Sequence, residues 1–426
     1  MTFPPSIDVP SRSLRRLKRR LRASSTEEKN ERALYLEIVF QALSSAGAMS
    51  FISVFLVRLG APAWLVGLYT SLPALMTMLA IIPMSTFVQR QRSLVATASW
   101  GRILFRGVIG MFALLPFLPP SISPFVLVAA RGLVSIPGCA INISITTILG
   151  SVTTAQRRPR MLSVRMAING LVSAAVGFGA GQWLERMPYP LNYQLLFTTA
   201  FVAGLGSVWA LSRLDIPEAS EKEIRQRKRV GLRDIIPLIK STPAFRDYSI
   251  AAFLMRFGMS FPMALYSIYR VRTLGSSDAW IGILLTVQRL LSVLAYFTLS
   301  RLLARKKFRQ WLWVTCFLMA LFPLTTALAH TPEMLLIPAA IGGLFGAGKN
   351  IFFTNTLFQV SPEEQRPTFV AANTFMANFT SFVAPLLGTM LAEVTTIRAA
   401  LLTAAVIRAG GGLVFWWLGV GRGAES

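Results

Sequence analysis

The sequence predicts an all-α membrane protein of twelve transmembrane helices, arranged as two pseudo-symmetric six-helix bundles. Long apolar stretches recur along the chain, basic residues fall on alternate connections, and short motifs repeat between the two halves. A helix needs about 20 apolar residues to cross the hydrocarbon core, where it satisfies its own backbone hydrogen bonds. The predicted spans are 33–57, 62–82, 96–118, 122–149, 163–184, 191–211, 248–269, 277–299, 310–329, 333–357, 368–391 and 396–419.

The 43 Lys and Arg residues predict the orientation of these spans. Most of them lie in the two tails and in the connections that follow even-numbered spans. The opposite side holds Arg58, Arg186, Arg270, Arg272 and Arg398. Because positively charged loops stay in the cytoplasm, we expect both termini to be cytoplasmic in a multi-pass protein of the cell (inner) membrane.

A net charge of +25 is also typical of proteins that bind nucleic acids. Topology already explains where most of this charge lies, so we predict the lipid bilayer as the surroundings and no nucleic-acid partner. The predicted organisation is a basic cytoplasmic tail, an N-terminal bundle, a cytoplasmic central loop, a C-terminal bundle and a short cytoplasmic tail, at 1–32, 33–211, 212–247, 248–420 and 421–426.

The two halves carry matching glycine motifs after their first spans. Each motif has Leu-Gly at the end of the span, then a Trp, and then a second Gly seven residues after the first: Gly60, Trp64 and Gly67 in one half, Gly275, Trp280 and Gly282 in the other. Internal repeats are typical of secondary transporters, which bind their substrate between the repeats near mid-membrane.

With this topology the sequence resembles the major facilitator superfamily over all twelve spans. The resemblance also rests on two basic loops, a glycine-rich end of span 5 and a Pro-Leu-Leu-Gly motif in span 11, at 90–92, 305–307, 177–181 and 385–388. The Gly and Asp that the family carries after span 2 are missing from 83–92. The resemblance implies a transporter that alternates between inward- and outward-open states, with a cavity lined by the first and fourth helices of each half and their neighbours.

Charged residues within the spans are the candidate site residues, because an ionised side chain in hydrocarbon is costly. Seven cations lie within the spans and more than two residues from either end, against one clearly intramembrane acid, Glu37. By the resemblance, four of the cations are predicted to bind substrate, together with two amides beside them: Arg131, Arg256, Arg289, Lys349, Gln288 and Asn350. The alternatives are hydrogen bonding between helices and extension of the charged group to the membrane interface.

The remaining intramembrane cations are predicted to be structural. Arg102 and Arg106 share one face of span 3, within reach of lipid headgroups, and Arg408 lies in an outer helix. Glu37 is a candidate for proton coupling, because burial favours the protonated form of a carboxyl group. Alternatively, it pairs with a neighbouring arginine or with Arg32.

The function predicted is secondary transport of a small organic anion or a phosphate-bearing amphiphile. Within transport, the alternative is proton-coupled efflux of drugs or metabolites through Glu37. From another class, the alternatives are a lipid scramblase or a membrane-embedded lipid enzyme. The sequence has one histidine and no nucleophile–base or metal-spaced set, so no catalytic residues, metal or cofactor are predicted.

Overall fold

The computed structural model describes residues 11–154, 157–218, 242–303, 308–361 and 366–420. Within these residues, helices joined by short connections make up the whole structure. The twelve principal helices are α1 (Ser11–Arg58), α2 (Ala63–Gln89), α3 (Leu94–Phe117), α4 (Ser123–Ser151), α5 (Arg158–Arg186), α6 (Leu191–Ser212), α7 (Pro243–Thr273), α8 (Asp278–Leu303), α9 (Phe308–Leu318 and Leu321–Leu328), α10 (Glu333–Val360), α11 (Arg366–Val394) and α12 (Ile397–Trp417).

These helices confirm the predicted all-α membrane fold. Within the described ranges, 11 helices are long and apolar enough to cross a membrane, and the ninth, Trp313–Leu328, is a shorter apolar helix. The predicted span at 310–329 corresponds to α9, which is interrupted between Leu318 and Leu321. Pro323, four residues after Met319, has no N–H to donate to the carbonyl oxygen of Met319. That oxygen accepts hydrogen bonds from Arg408 at 3.2 Å and from the backbone N–H of Phe322 at 3.4 Å.

Packing between helices follows the predicted pseudo-symmetry. In the N-terminal half α1 packs against α5 and α6, α2 against α4, and α3 against α4 and α6. In the C-terminal half α7 packs against α11 and α12, α8 against α10, and α9 against α10 and α12. The halves meet where α5 packs against α8 and where α2 packs against α11. The two-fold relation between the halves exchanges these two contacts. The chain therefore forms two related six-helix bundles.

The repeated glycine motifs form equivalent turns in the two halves. Gly60 has φ +81° and Gly275 has φ +61°, in the left-handed region that glycine adopts without strain. Each turn ends the first helix of its half and leads into the second.

The second glycine of each motif lies where the halves touch. A Cβ atom on Gly67 would lie 2.6 Å from Oγ1 of Thr389, at the crossing of α2 and α11. A Cβ atom on Gly181 would lie 2.8 Å from Cα of Gly282, at the crossing of α5 and α8. These crossings require residues without a side chain, so the repeated motif builds both contacts between the halves.

The two ends of the bundle differ in how the halves meet. We call the end with the α1–α2, α5–α6, α7–α8 and α11–α12 connections the distal end, and the opposite end the loop end. Near the distal end one apolar core contains Phe55 and Ile109 from the first half and Ala264 and Ile281 from the second. At the loop end, the cores around Leu34 and around Tyr248, Phe369 and Phe415 each belong to one half. The described halves therefore share a core only toward the distal end.

Candidate functional site

A cavity of about 280 Å³ lies inside the N-terminal half, between α1, α2, α3 and α4. Its polar wall contains three arginines, two amides and two hydroxyl groups; these are Arg102, Arg106, Arg131, Gln41, Asn142, Thr77 and Ser135. Pro73, Phe105, Gly138, Cys139 and Ile141 complete the lining. The cavity wall is therefore cationic on one part and apolar on another, and no carboxylate belongs to it.

Arg102 and Arg106 enter this cavity from one face of α3, because they lie four residues apart. Only 4% of Arg102 and 3% of Arg106 are exposed. The stem of Arg106 packs against Gly204 of α6, where an added Cβ would lie 2.7 Å from its Cγ. Because Gly204 has no side chain, α6 leaves the space that the stem of Arg106 occupies in the interior.

Glu37 ties three helices together beside the cavity. Its carboxylate is fully buried, with Oε1 2.5 Å from Nη2 of Arg102 and Oε2 2.6 Å from Nη1 of Arg165. Arg165, on α5, also donates to the carbonyl oxygen of Leu34 at 2.8 Å. One negative charge is therefore shared between two buried guanidinium groups.

Arg106 is held by neutral groups alone. Its Nη2 donates to Oε1 of Gln41 at 2.8 Å and to Oγ of Ser45 at 3.0 Å. Its Nη1, and Nε and Nη1 of Arg102, are buried and meet no hydrogen-bond acceptor among the described residues. An unmet buried donor is costly, so these atoms are where an added acceptor would stabilise the wall most.

Arg131 adds a third cation from α4. Its Nη1 lies 3.3 Å from Oγ of Ser135, and its side chain also meets Tyr69 of α2. Its Nε is buried without a partner. The cavity and its edge thus hold four arginines, Arg102, Arg106, Arg131 and Arg165, and Glu37 contacts two of them, Arg102 and Arg165.

The C-terminal half has a smaller cationic group. Nη1 of Arg256 donates to Oδ1 and to the carbonyl oxygen of Asn373, at 2.9 and 3.1 Å, and its guanidinium lies 5.4 Å from the ring centre of Phe353. Lys349 of α10 lies within electrostatic range of Arg256. The structure thus brings together two of the predicted binding residues in this half.

The other predicted residues are dispersed. Arg289 and Asn350 are exposed. The amide of Gln288 packs into the crossing of α8 and α10, where a Cβ atom on Gly342 would lie 3.1 Å from its Nε2. Among the contacts of the described residues, none joins these three to Arg131.

Arg408 is structural, as predicted. It is buried in α12 and donates to the carbonyl oxygens of Gly258 at 2.9 Å, Met259 at 3.2 Å and Met319 at 3.2 Å. It also donates to the hydroxyl of Tyr266 at 3.0 Å. All three of its nitrogen atoms are used in joining α12 to α7 and α9.

Two predictions about the N-terminal half need correction or completion. The expectation that Arg102 and Arg106 extend to lipid headgroups is wrong, because both are buried in the bundle and line the cavity. Of the alternatives for Glu37, pairing with neighbouring arginines is observed, and Arg32 is exposed. Arg165 is a further buried arginine that the candidate residues did not include, because it lies two residues inside the predicted span 163–184 and was counted with the basic loop before it.

A polar network closes the distal end between the halves. Nε and Nη2 of Arg58, at the end of α1, lie 3.0 and 2.9 Å from Oδ1 of Asp278, at the start of α8. The hydroxyl of Tyr193 donates to Oδ2 of the same carboxylate at 3.4 Å. Oε2 of Glu185, from α5, accepts the backbone N–H of Asp278 at 3.0 Å, so one half caps a helix of the other.

The family of this protein is established by a match to a family model. The model described as Major Facilitator Superfamily matches residues 34–321 and 248–426, which together cover most of the chain. The chain belongs to the Major Facilitator Superfamily. It is therefore a multi-pass membrane transporter, and the family membership leaves its substrate undefined.

Solved structures of superfamily transporters share the fold at low sequence identity. A mutant of the nucleoside transporter NupG is 12% identical, with a TM-score of 0.69 over 92% of this chain and 99% of that one. The human organic anion transporter MFSD10 (TETRAN) is 12% identical, with a TM-score of 0.65 over 91% and 99%. A POT family transporter in complex with a thioalcohol-conjugated peptide is 12% identical, with a TM-score of 0.69 over 91% and 96%.

A comparison with curated protein sequences gave no significant match. The structural relatives carry different kinds of solute by their printed descriptions, so they support the fold alone. The chemistry of this chain's own cavity has to carry any inference about its substrate.

Proposed function

We propose that this protein is a secondary transporter that moves a small anionic solute across the cell membrane, with the cavity of the N-terminal half as its binding site. The observation that carries the proposal is the cavity wall itself: three arginines, several of their donor atoms without partners, and no carboxylate. Guanidinium groups bind carboxylates and phosphates through paired hydrogen bonds. An anion in the cavity would satisfy the free donors and offset the mutual repulsion of the cations.

The neutral polar groups of the wall also favour an anion over an uncharged polyol. The hydroxyl of Thr77 donates to the carbonyl oxygen of Pro73 at 2.8 Å, and that of Ser135 to the carbonyl oxygen of Arg131 at 3.1 Å. The amide of Gln41 is engaged by Arg106 and Ser45. A sugar needs hydrogen-bond acceptors as well as donors, and the most available groups in this wall are guanidinium donors.

The difference between the two ends of the bundle supports alternating access. The halves are joined by polar bonds and a shared core at the distal end, and they have separate cores at the loop end. With the loop end in the cytoplasm, as the distribution of basic residues predicts, this is an inward-facing arrangement. The halves 33–211 and 248–420 would rock about the α5–α8 and α2–α11 contacts, and Arg256 and Lys349 would face the anion from the second half.

Transport in liposomes tests this function. Purified protein is reconstituted with a panel of labelled organic anions, neutral sugars and cations, and exchange is measured against unlabelled solute. We expect saturable exchange of one or more anions and none of the neutral or cationic solutes. Arg131→Gln should reduce kcat/KM for the anion by about 30-fold, which corresponds to one lost charged hydrogen-bonding partner.

Arg213→Gln is the matched control, because Arg213 is exposed at the end of α6 and its guanidinium lies over the ring of Trp209. This variant removes the same charge and should retain wild-type exchange. Exchange confined to neutral or cationic solutes would refute the proposal. Wild-type anion exchange by Arg131→Gln would remove the assignment of the site.

Proton-coupled efflux through Glu37 predicts a different result. In that mechanism Glu37 must release its arginines in each cycle, and Glu37→Gln must abolish transport driven by a proton gradient. The two ion pairs of Glu37 favour instead a role in holding Arg102 and Arg165 in place. Transport by wild-type protein in vesicles with and without an imposed proton gradient separates the two mechanisms, and a gradient-dependent uptake that Glu37→Gln abolishes would establish the coupled one.

A further inference from the structure

We infer that the solute carries a doubly charged phosphoryl group, as a phosphate ester or a free phosphate, rather than a single carboxylate or sulfate. This inference rests on the proposed function, and it names the chemical class of the anion. Its starting point is the balance of charge around the cavity. Arg102 is engaged by Glu37, whereas Arg106 and Arg131 contact only neutral groups among the described residues. Two cations of the wall are therefore not paired with a carboxylate in the described part of the chain.

A single negative charge would leave one of these two arginines uncompensated in the interior of the bundle. Arg102 and Arg106 are also close enough to repel each other, so the wall favours concentrated negative charge. A phosphate monoester carries between 1.5 and 2 negative charges near neutral pH, roughly, and presents three acceptor oxygens. The three oxygens equal the number of arginines in the wall. The charge of nearly two equals the number of those arginines that contact only neutral groups among the described residues.

The geometry of the wall points the same way. Arg102 and Arg106 reach the cavity from α3, one helical turn apart, and Arg131 reaches it from α4. A planar carboxylate has two oxygens and can pair fully with one guanidinium group. A tetrahedral phosphoryl group presents oxygens in several directions, so it can meet donors that come from two helices at once.

The apolar part of the lining limits the rest of the solute. Phe105 and Ile141 stand beside the arginines, and the cavity of about 280 Å³ is at the small end of the usual range for ligand pockets. A phosphate ester with a short carbon skeleton fits this description. The phosphate head of a single-chain lipid shares the same chemistry, and its carbon chain would have to leave the cavity.

A matched set of three ligands tests the inference by direct binding. Wild-type protein in nanodiscs, without phosphate buffer, is titrated calorimetrically with butyl phosphate, butyl sulfate and pentanoate. Butyl sulfate keeps the tetrahedral shape but carries one charge, and pentanoate carries one charge on a planar group. Near pH 7.5, roughly, we expect butyl phosphate to bind about ten-fold more tightly than either monoanion, because only its phosphoryl group is mostly dianionic there.

The same titrations at about pH 5, where the phosphoryl group is a monoanion, should reduce this preference to less than about three-fold. Butyl sulfate reports any effect of pH on the protein itself. Arg106→Gln should remove the preference at the higher pH, and Arg213→Gln should preserve it. Thermal melting of each variant shows whether it is folded.

The outcomes separate this inference from the proposed function. Equal affinity for the three anions, or a preference for pentanoate, overturns the phosphoryl assignment while anion transport stands. Failure of all three to bind, together with no anion exchange in liposomes, overturns both. Dodecyl phosphate and inorganic phosphate, titrated alongside, distinguish the source of the phosphoryl group. Much tighter binding of dodecyl phosphate identifies a lipid-like solute, and comparable binding of the two identifies a water-soluble one. Either result supports the phosphoryl group.

Discussion

Arg106 and Arg408 are both buried arginines in helices of the bundle, and they differ in what their donors meet. Arg408 uses all three nitrogen atoms on backbone carbonyls and a tyrosine hydroxyl of α7 and α9. Arg106 meets an amide and a hydroxyl and keeps a buried Nη1 without a partner beside a cavity. Burial alone therefore does not mark a binding residue in a membrane protein. The proposed binding role of Arg106 rests instead on its unmet donor beside the cavity.

The largest effect that sharpens this comparison is expected at Glu37. Glu37→Gln removes the carboxylate that pairs with Arg102 and Arg165, and it should lower the free energy of unfolding by about 3–5 kcal/mol. Thermal and denaturant unfolding in detergent measure the loss. The double variant Glu37→Gln, Arg165→Met should recover part of it, since one unbalanced charge is removed. Wild-type stability of the single variant would mean that the ion pairs are not maintained.

A somewhat smaller loss is expected at Arg408. Arg408→Met keeps most of the volume but removes four hydrogen bonds that join α12 to its neighbours, so we expect a loss of about 2–3 kcal/mol in the free energy of unfolding. Anion affinity of the folded fraction should remain that of the wild type. Unchanged stability with lost binding would reverse the roles assigned to the two arginines.

The same substitution at Arg106 should have the opposite sign. Arg106→Met removes a buried, incompletely paired charge, so we expect stability to rise by about 1 kcal/mol, a gain of roughly 1–3 °C in Tm. Anion binding should be lost at the same time. A marked fall in Tm would show that Arg106 stabilises the fold as Arg408 does, and would break the comparison.

The smallest effect is expected at the distal network. Asp278→Asn weakens the contact with Arg58, whose side chain is 36% exposed and therefore partly screened by water. We expect a shift of up to about 1 kcal/mol toward the state open at the distal end, or roughly three- to five-fold in population. Labelling of a cysteine introduced at Ser53, whose hydroxyl accepts a hydrogen bond from Ser267 of the other half, measures this opening in a background where Cys139 and Cys316 are replaced.

The order of helices and the pairing of halves could be predicted from the sequence, because hydrophobic length and loop charge determine them. The glycine motif at Gly60 and Gly275 predicted the repeat for a local reason, since both turns require positive φ. The break in α9 has a local cause in the sequence, because Pro323 cannot donate to the carbonyl oxygen of Met319 and its ring crowds that group. The hydrogen bond from Arg408 to the same oxygen could not be predicted, because Arg408 lies nearly a hundred residues later in the chain.

The site was harder to predict, because the sequence gives a residue's depth in the membrane more readily than the direction it faces. Arg102 and Arg106 were assigned to lipid headgroups on depth alone. One signal was present, because Glu37 and Gln41 have the same four-residue spacing on α1. In the structure Glu37 pairs with Arg102, and Gln41 accepts a hydrogen bond from Arg106. Matching intervals of polar residues on two helices predict a shared face, and that would have placed both arginines inside.

The contact of Gly181 with Gly282 has a mechanical consequence for the transport cycle. The two backbones are in direct contact there, and farther along the same crossing the side chain of Val293 packs against Gly170. At the glycine pair itself, no side chain hinders a change in the angle between α5 and α8. Away from the glycine pair, a change of this angle is opposed by the hydrogen bond from Thr286 to the carbonyl oxygen of Ala174, by the shared apolar core and by the polar bonds at the distal end.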